Sequence, residues 1–206
     1  MKKISVLQCG LIIIAAVIAS NILQFYIFNQ DSNKHLSSTA SQPIYESKYN
    51  LYNDYASRIQ NVYQFLVQLD NVKTPNDSYL LSEGFYIGIS SDYYTYLESL
   101  IRKTESANYS EELKHIIETN ENLQIMIYEL KNYFTIHQND ASFPEQWKEI
   151  KSLLKETNVL LASGSSKDTT LYNITSYPEN FVPKPDYQST MSDLNENFAN
   201  LVNLLR

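Results

Sequence analysis

The sequence contains a single cysteine, Cys9, which lies inside a long apolar run near the N-terminus. No intrachain disulfide can form, so the stability of the fold must come from packing. Glycine is also scarce, with only Gly84, Gly88 and Gly164 outside the apolar run. Because tight hairpin turns depend on glycine, this scarcity argues against a sheet-rich fold.

Motifs that would indicate catalysis or a cofactor are missing as well. The chain has no Gly-x-Ser-x-Gly nucleophile elbow, and Gly84 and Gly88 lack the lysine of a phosphate-binding loop. Glu112 and His115 have the spacing of a di-iron ligand pair, but such a site needs a second copy of the pair, which the sequence does not contain. We therefore expect a non-enzymatic protein without a metal or other cofactor.

The sequence has fewer basic residues than acidic ones. Removing Lys2, Lys3 and Asp31 from the totals of 16 basic and 23 acidic residues leaves 14 and 22, a net charge of −8 for the remainder. An acidic domain is repelled by phosphate backbones, which argues against nucleic acid as a partner.

What the N-terminal region does contain is an apolar run over residues 4–28. As a helix this run would be about 37 Å long, enough to cross a hydrocarbon core of about 30 Å. Lys2 and Lys3 precede it and Asp31 follows it, so the positive-inside rule places the N-terminus in the cytoplasm. The sequence thus predicts a cytoplasmic stub (residues 1–3), a single-pass transmembrane helix that anchors the protein in the cell membrane, and an extracellular remainder.

A cleaved export signal is the alternative interpretation of this run, with cleavage after Ala19 releasing a secreted helical protein. Apolar residues continue to Phe28, however, and export signals usually have only about 7–15 of them, so we prefer an uncleaved signal anchor. Small and polar residues in the run have the spacing of helix contacts in membranes, which indicates self-association or contact with another membrane protein. These residues are Ala15, Ala16, Ala19, Ser20, Asn21 and Gln24.

The predicted fold class is all-α, with the transmembrane helix followed by a polar linker (residues 29–43) and an extracytoplasmic antiparallel bundle of four to five helices (residues 44–206). The evidence is that apolar residues recur at alternating steps of three and four, the spacing of coiled coils and packed amphipathic helices. In the first helix this stripe consists of Tyr45, Lys48, Tyr52, Tyr55, Ile59, Val62, Leu66 and Leu69.

A second helical region is predicted over residues 78–105. Gly84 and Gly88 share one of its faces, and we expect them either to admit a neighbouring helix or to mark a kink. Within this region, residues 85–89 have a strand as the alternative.

The third helix has the most regular pattern. Ser110 is placed to cap its start, and Glu111 and Glu112 suit the positive end of the helix dipole. Asn120 is the polar member of the seam, a device that can fix pairing register. The whole seam consists of Leu113, Ile116, Asn120, Leu123, Ile127, Leu130, Phe134 and His137.

A capping box of Ser142 and Glu145, with Pro144 in the first turn, predicts the start of the fourth helix, and Gly164 is its expected stop. Its inner face consists of Phe143, Trp147, Ile150, Leu154 and Leu161. The last helix repeats the spacing with Met191, Leu194, Phe198, Leu201 and Leu205.

Residues 165–188, which include three prolines, are predicted to be a long irregular segment. We expect its aromatic residues to pack the segment over the bundle and to offer a partner or ligand surface. These aromatics are Tyr172, Tyr177, Phe181 and Tyr187.

These patterns favour a membrane-anchored extracytoplasmic interaction or regulatory module of the bacterial cell envelope. Its expected partners are the lipid bilayer, through residues 4–28, and either an envelope protein or a second copy of the chain. The alternative from another class is an extracytoplasmic sensor or carrier that binds a small molecule between helices or beneath residues 165–188.

Overall fold

The structure of the protein, a computed structural model, describes residues 42–90 and 111–206. The predicted stub, the transmembrane helix with its contact residues, residues 29–41 of the linker, residues 91–105 of the second helical region and the cap Ser110 lie outside the described residues. The part that is described consists of helices and their connections, without a strand, which confirms the all-helical prediction. Residues 85–89 belong to a helix, so the strand alternative is wrong.

Seven helices occupy the described ranges, five of them long. The long ones are α1 (Gln42–Asn71), α2 (Pro75–Ser90), α3 (Glu111–His137), α4 (Trp147–Ser163) and α7 (Pro185–Leu205), and the short ones are α5 (Leu171–Ser176) and α6 (Pro178–Phe181). Because α1 begins at Gln42, the last two residues of the predicted linker are helical.

Cross-helix contacts fix the direction of the long helices. Glu83 and Tyr86 of α2 meet Lys131 and Tyr128 of α3 respectively, so α2 and α3 are antiparallel. Two hydrogen bonds, from Gln146 to the Leu204 carbonyl and from the Ser165 amide to Thr190, likewise make α4 and α7 antiparallel. With the short turn between α1 and α2, this order gives the up-down arrangement of a helical bundle.

The core of the bundle is formed by the predicted apolar stripes. All members of the α3 seam from Leu113 to Phe134 are buried, and α3 packs against both α2 and α7. Burial of such stripes is the main source of stability for a bundle, because helices of this length gain little in isolation. The other stripe residues confirmed as buried are Tyr52, Tyr55, Ile59, Val62, Leu66, Leu69, Trp147, Ile150, Leu154, Leu161, Met191, Leu194, Phe198, Leu201 and Leu205.

The start of α2 lies three residues before the predicted one, because the sequence offers a cap there. The Thr74 hydroxyl accepts a hydrogen bond from the Asp77 amide (3.1 Å) and donates one to the Asp77 carboxylate (2.7 Å). Pro75 follows as the first helical residue, a position that needs no backbone N–H.

The start of α4 shows that the predicted capping box of Ser142 and Glu145 is wrong. The N-cap residue is Gln146, and no side chain caps the helix. Instead the chain enters α4 through a tight backbone turn, in which the Trp147 amide donates to the Pro144 carbonyl over 3.0 Å. The backbone carbonyls of residues 144–146 thus satisfy the first amides of α4 without a side-chain cap.

The segment predicted to be irregular, residues 165–188, contains α5, α6 and the first turn of α7. Pro178 and Pro185 begin helices here rather than preventing them, since proline has a helical φ and needs no donor in a first turn. The segment does pack on the bundle, through the buried residues Ile174, Pro178 and Val182.

Candidate functional site

The four aromatics predicted to form a partner or ligand surface do not form one surface. Tyr172 and Tyr177 are 72 % and 53 % exposed, but Tyr187 is only 1 % exposed and lies inside the bundle. Phe181 is half-buried and has the Lys184 ammonium over its ring, 4.4 Å from the centroid. Tyr187 is therefore a core residue, and its inclusion in the surface is wrong, because it shares the inward face of α7 with Met191 and Leu194.

No group of three or more His, Cys, Asp or Glu side chains in residues 42–90 and 111–206 is arranged to hold a metal ion. At the end of α3, the Nδ1 atom of His137 lies 2.7 Å from a carboxylate oxygen of Asp140, and a pair of this kind is too small a set to hold a metal. The same two ranges contain no helix that is both long enough and apolar enough to cross a membrane.

A buried polar contact joins α1 to α3. The Arg58 guanidinium donates a hydrogen bond to the Asn120 side-chain oxygen over 3.1 Å, and Arg58 is only 3 % exposed. Burial raises the pKa of the nearby Asp54 carboxyl, and the positive charge of Arg58 lowers it in part. The seam position of Asn120 predicted a polar register device, but the sequence pattern did not reveal Arg58 as its partner.

Three hydroxyl groups face one another near this contact, on Tyr55 of α1, Thr119 of α3 and Tyr187 of α7. Burial raises the pKa of Tyr55 well above its usual range, and the proximity of Tyr187 raises it further, whereas the Thr119 hydroxyl lowers it. Burial also raises the pKa of Tyr187. The two rings meet edge to face, with centroids 6.3 Å apart. All three side chains are buried, so they belong to the framework of the bundle and not to an accessible site.

The exposed residues of α2 and α3 are the better candidate for a functional surface. Leu80 and Ile87 of α2 are each 59 % exposed, and Ile125 and Tyr128 of α3 are nearly half exposed. Large apolar side chains clustered on the surface of a soluble domain mark interaction sites more often than single ones do. We call these four residues, together with Gly84, the α2–α3 face.

Contacts between α2 and α3 lie beside these exposed residues and include one of them, Tyr128. The ring of Tyr86 lies 5.8 Å from that of Tyr128, and Lys131 sits over the Tyr86 ring at 5.6 Å. The Lys131 ammonium also lies 3.8 Å from the Glu83 carboxylate, so the two charges between the helices offset each other. The α2–α3 face is therefore apolar, with its internal charge paired.

Gly84 and Gly88 do not serve the predicted packing within the bundle. Both are exposed, and a Cβ added to either would meet no described atom within 4 Å. No neighbouring helix of residues 42–90 or 111–206 thus uses the space that they leave, and the stretch 84–88 stays within one helix, α2. Sequence reasoning noticed the glycines but missed Leu80 and Ile87, although their seven-residue spacing places them on the same side of the helix as Gly84.

Comparison of the chain with models of protein families, with curated proteins and with solved structures finds no match.

Proposed function

We propose that this chain is a membrane-anchored, extracytoplasmic interaction module of the bacterial cell envelope, which acts by binding a protein rather than by catalysis. The observation that supports this proposal best is the exposed apolar α2–α3 face. Exposed apolar area is costly in water, at about 25 cal/mol for each Å², and a protein partner would remove that cost.

The anchor is the second part of the proposal. Residues 4–28 would hold the module in the membrane, with residues 1–3 inside the cell and the bundle outside. The small and polar residues Ala15, Ala19 and Ser20 of the run would support lateral contacts with other helices in the membrane.

The interaction can be tested with a photo-crosslinking amino acid placed in the full chain, in intact cells that make the protein. Placed at Leu80 or Ile87, it should give a discrete adduct, because those side chains would lie in the interface. Two control positions test whether any exposed residue, or any exposed apolar residue, is labelled equally well. Gln64 lies on an exposed polar part of α1, and Val159 of α4 is an isolated apolar residue that is 66 % exposed.

Equal labelling at all four positions, or no adduct at Leu80 and Ile87, would contradict the proposal. The anchor has its own test, since protease added to intact cells should digest the chain beyond Gln30. Protection in intact cells together with digestion after lysis would show that the orientation is wrong.

A further inference from the structure

We propose that the partner of the α2–α3 face is a second copy of this chain, paired through an antiparallel α2–α2 contact centred on Gly84. This inference rests on the proposed function and names its partner. It is supported by the spacing of the exposed residues on α2, by the charge of the face and by its area.

The spacing of α2 is suited to pairing with itself. Leu80 lies four residues before Gly84 and Ile87 lies three residues after it, so all three share one side of the helix. When two such helices cross in opposite directions at Gly84, Leu80 of each copy meets Ile87 of the other. This is the self-complementary contact that a two-fold dimer requires, in which residue i meets j and j meets i.

Gly84 gives this crossing a close approach. A glycine inside a helix costs about 1 kcal/mol relative to alanine, and nothing in the described part of the chain fills the space over Gly84. Without a Cβ at the crossing point, the two backbones can come close enough for the flanking leucine and isoleucine to interdigitate.

The charge of the face favours a copy over a charged partner. The whole chain has a net charge of −7, so two copies would repel wherever they met through unpaired acidic groups. On α2, however, the Glu83 carboxylate is next to Lys131, and the Asp77 carboxylate accepts the Thr74 hydroxyl at the helix start. Apart from Glu83, which lies next to Lys131, the α2 residues 78–90 that would meet the other copy carry no charge, so a basic peptide would find no unpaired anion among them.

The size of the face predicts a weak, reversible dimer. Four large side chains that are about half exposed offer roughly 400 Å² for each copy, or about 800 Å² in total, below the 1,200–2,000 Å² of stable complexes. The proposed anchor would confine two copies to one membrane and raise their effective concentration, which would compensate for the small area. We therefore expect the dimer to form between full chains in membranes.

Disulfide trapping of the full chain in membranes tests the pairing directly. Cys9 is first replaced by serine, and chains that carry Leu80→Cys are made together with chains that carry Ile87→Cys, so that Gly84 is left unchanged. Mild oxidation should then give a dimer of twice the chain mass, because an antiparallel crossing brings residue 80 of one copy and residue 87 of the other within the roughly 7 Å between Cα atoms that a disulfide can span. Val159→Cys, equally exposed on α4, is the matched control and should stay monomeric.

A charge exchange distinguishes antiparallel pairing from any other. With a photo-crosslinker at Tyr128 as the readout, Ile87→Glu alone should lower the yield of dimer adducts by about tenfold, because a carboxylate would be buried against Leu80. Adding Leu80→Lys should restore the yield, since each lysine would meet the glutamate of the other copy. In a parallel pairing the same double variant would bring like charges together and would not recover.

A third variant separates pairing from folding. Gly84→Ala should raise the urea midpoint of the chain, because alanine favours the helix, while it lowers the yield of adducts from a photo-crosslinker at Ile87. A disulfide dimer of Leu80→Cys with Ile87→Cys no stronger than that of Val159→Cys, or no recovery in the charge exchange, overturns the pairing. If the adducts at Leu80 and Ile87 contain a different protein, this inference fails and the proposed function stands. If there are no adducts at all, both fail.

Discussion

Arg58 carries a full positive charge into the interior of the bundle, where the Asn120 side-chain oxygen accepts one of its hydrogen bonds. A buried charge is costly unless its hydrogen-bonding groups are satisfied. The amide of asparagine provides an acceptor without adding a second charge. This contact therefore ties α1 to α3 at one register, since a shift of either helix would separate the two side chains.

At the scale of this residue pair, we expect Asn120→Ala to destabilise the fold by about 1–3 kcal/mol, because the buried guanidinium loses an acceptor. Urea unfolding of the variant and the parent chain measures the difference. Asn203→Ala, at an exposed position on α7, is the matched control and should stay within about 0.5 kcal/mol of the parent. Equal effects of the two substitutions would show that the Arg58 contact contributes nothing.

The sequence predicted one half of this contact. Asn120 stands out because every neighbouring position of its seam is apolar. Arg58 does not stand out, since it lies beside Ile59 and is not a member of the stripe at three-four spacing on its helix. A long side chain can bury its stem while its charged group reaches a distant acceptor, and that reach depends on the placement of α3, which spacing within α1 does not determine.

At the scale of the helix, Thr74 illustrates how a short side chain determines where a helix begins. Its hydroxyl is bonded to both the amide and the carboxylate of Asp77, three residues on. Ser142 is followed at the same distance by Glu145, yet α4 begins later and without a side-chain cap. The difference lies in the backbone, because the chain at Pro144 already turns in a way that satisfies the first amides of α4.

These two starts provide a matched pair of substitutions. Thr74→Ala should cost about 1 kcal/mol of stability, the usual value for loss of an N-cap, whereas Ser142→Ala should cost almost nothing. Thermal or urea unfolding of both variants is the measurement. A larger loss for Ser142→Ala than for Thr74→Ala would mean that the caps are assigned to the wrong helix.

The long helices could be predicted from the sequence because their buried faces recur with a strict period. The seams of α3, α4 and α7 were identified almost residue by residue. The short helices α5 and α6 could not be predicted, since four to six residues contain too little of a period and their prolines resemble breaks. The exposure of the α2–α3 face could not be predicted from the sequence either, since apolar residues at helical spacing are normally buried.

At the scale of the whole molecule, Tyr55 and Tyr187 join the first and last long helices in the interior. Burial raises the pKa of both phenols above the value of about 10 that they have in an unfolded chain. The folded state therefore holds both protons at a pH where the unfolded state loses them. Their contribution to stability is complete below pH 10 and is lost as the pH rises from there towards the folded pKa values.

We therefore expect the protein to unfold in alkali with a steep dependence on pH. Each buried phenol lowers the free energy of unfolding by up to about 1.4 kcal/mol for each pH unit above 10, so the two together lower it by up to about 2.8 kcal/mol for each unit. Urea midpoints at pH 8.5, 10 and 11 measure this loss. The double variant Tyr55→Phe, Tyr187→Phe should lose much less stability over the same interval.

The control for this comparison is Tyr172→Phe combined with Tyr177→Phe, which removes two exposed hydroxyls. It should follow the parent chain at every pH. If the core variant instead shows the parent slope, ionisation of the two buried phenols does not limit alkaline stability.

The pairing of a guanidinium in the first helix with an amide in the third also bears on how distant homologues of this protein can be recognised. The two positions are 62 residues apart along the chain. A descendant that keeps Arg58 must keep an acceptor opposite it, and one that loses the amide gains by replacing the arginine with an apolar residue of similar volume. Joint substitution at two such positions can therefore trace common ancestry after the solvent-facing residues have diverged beyond alignment.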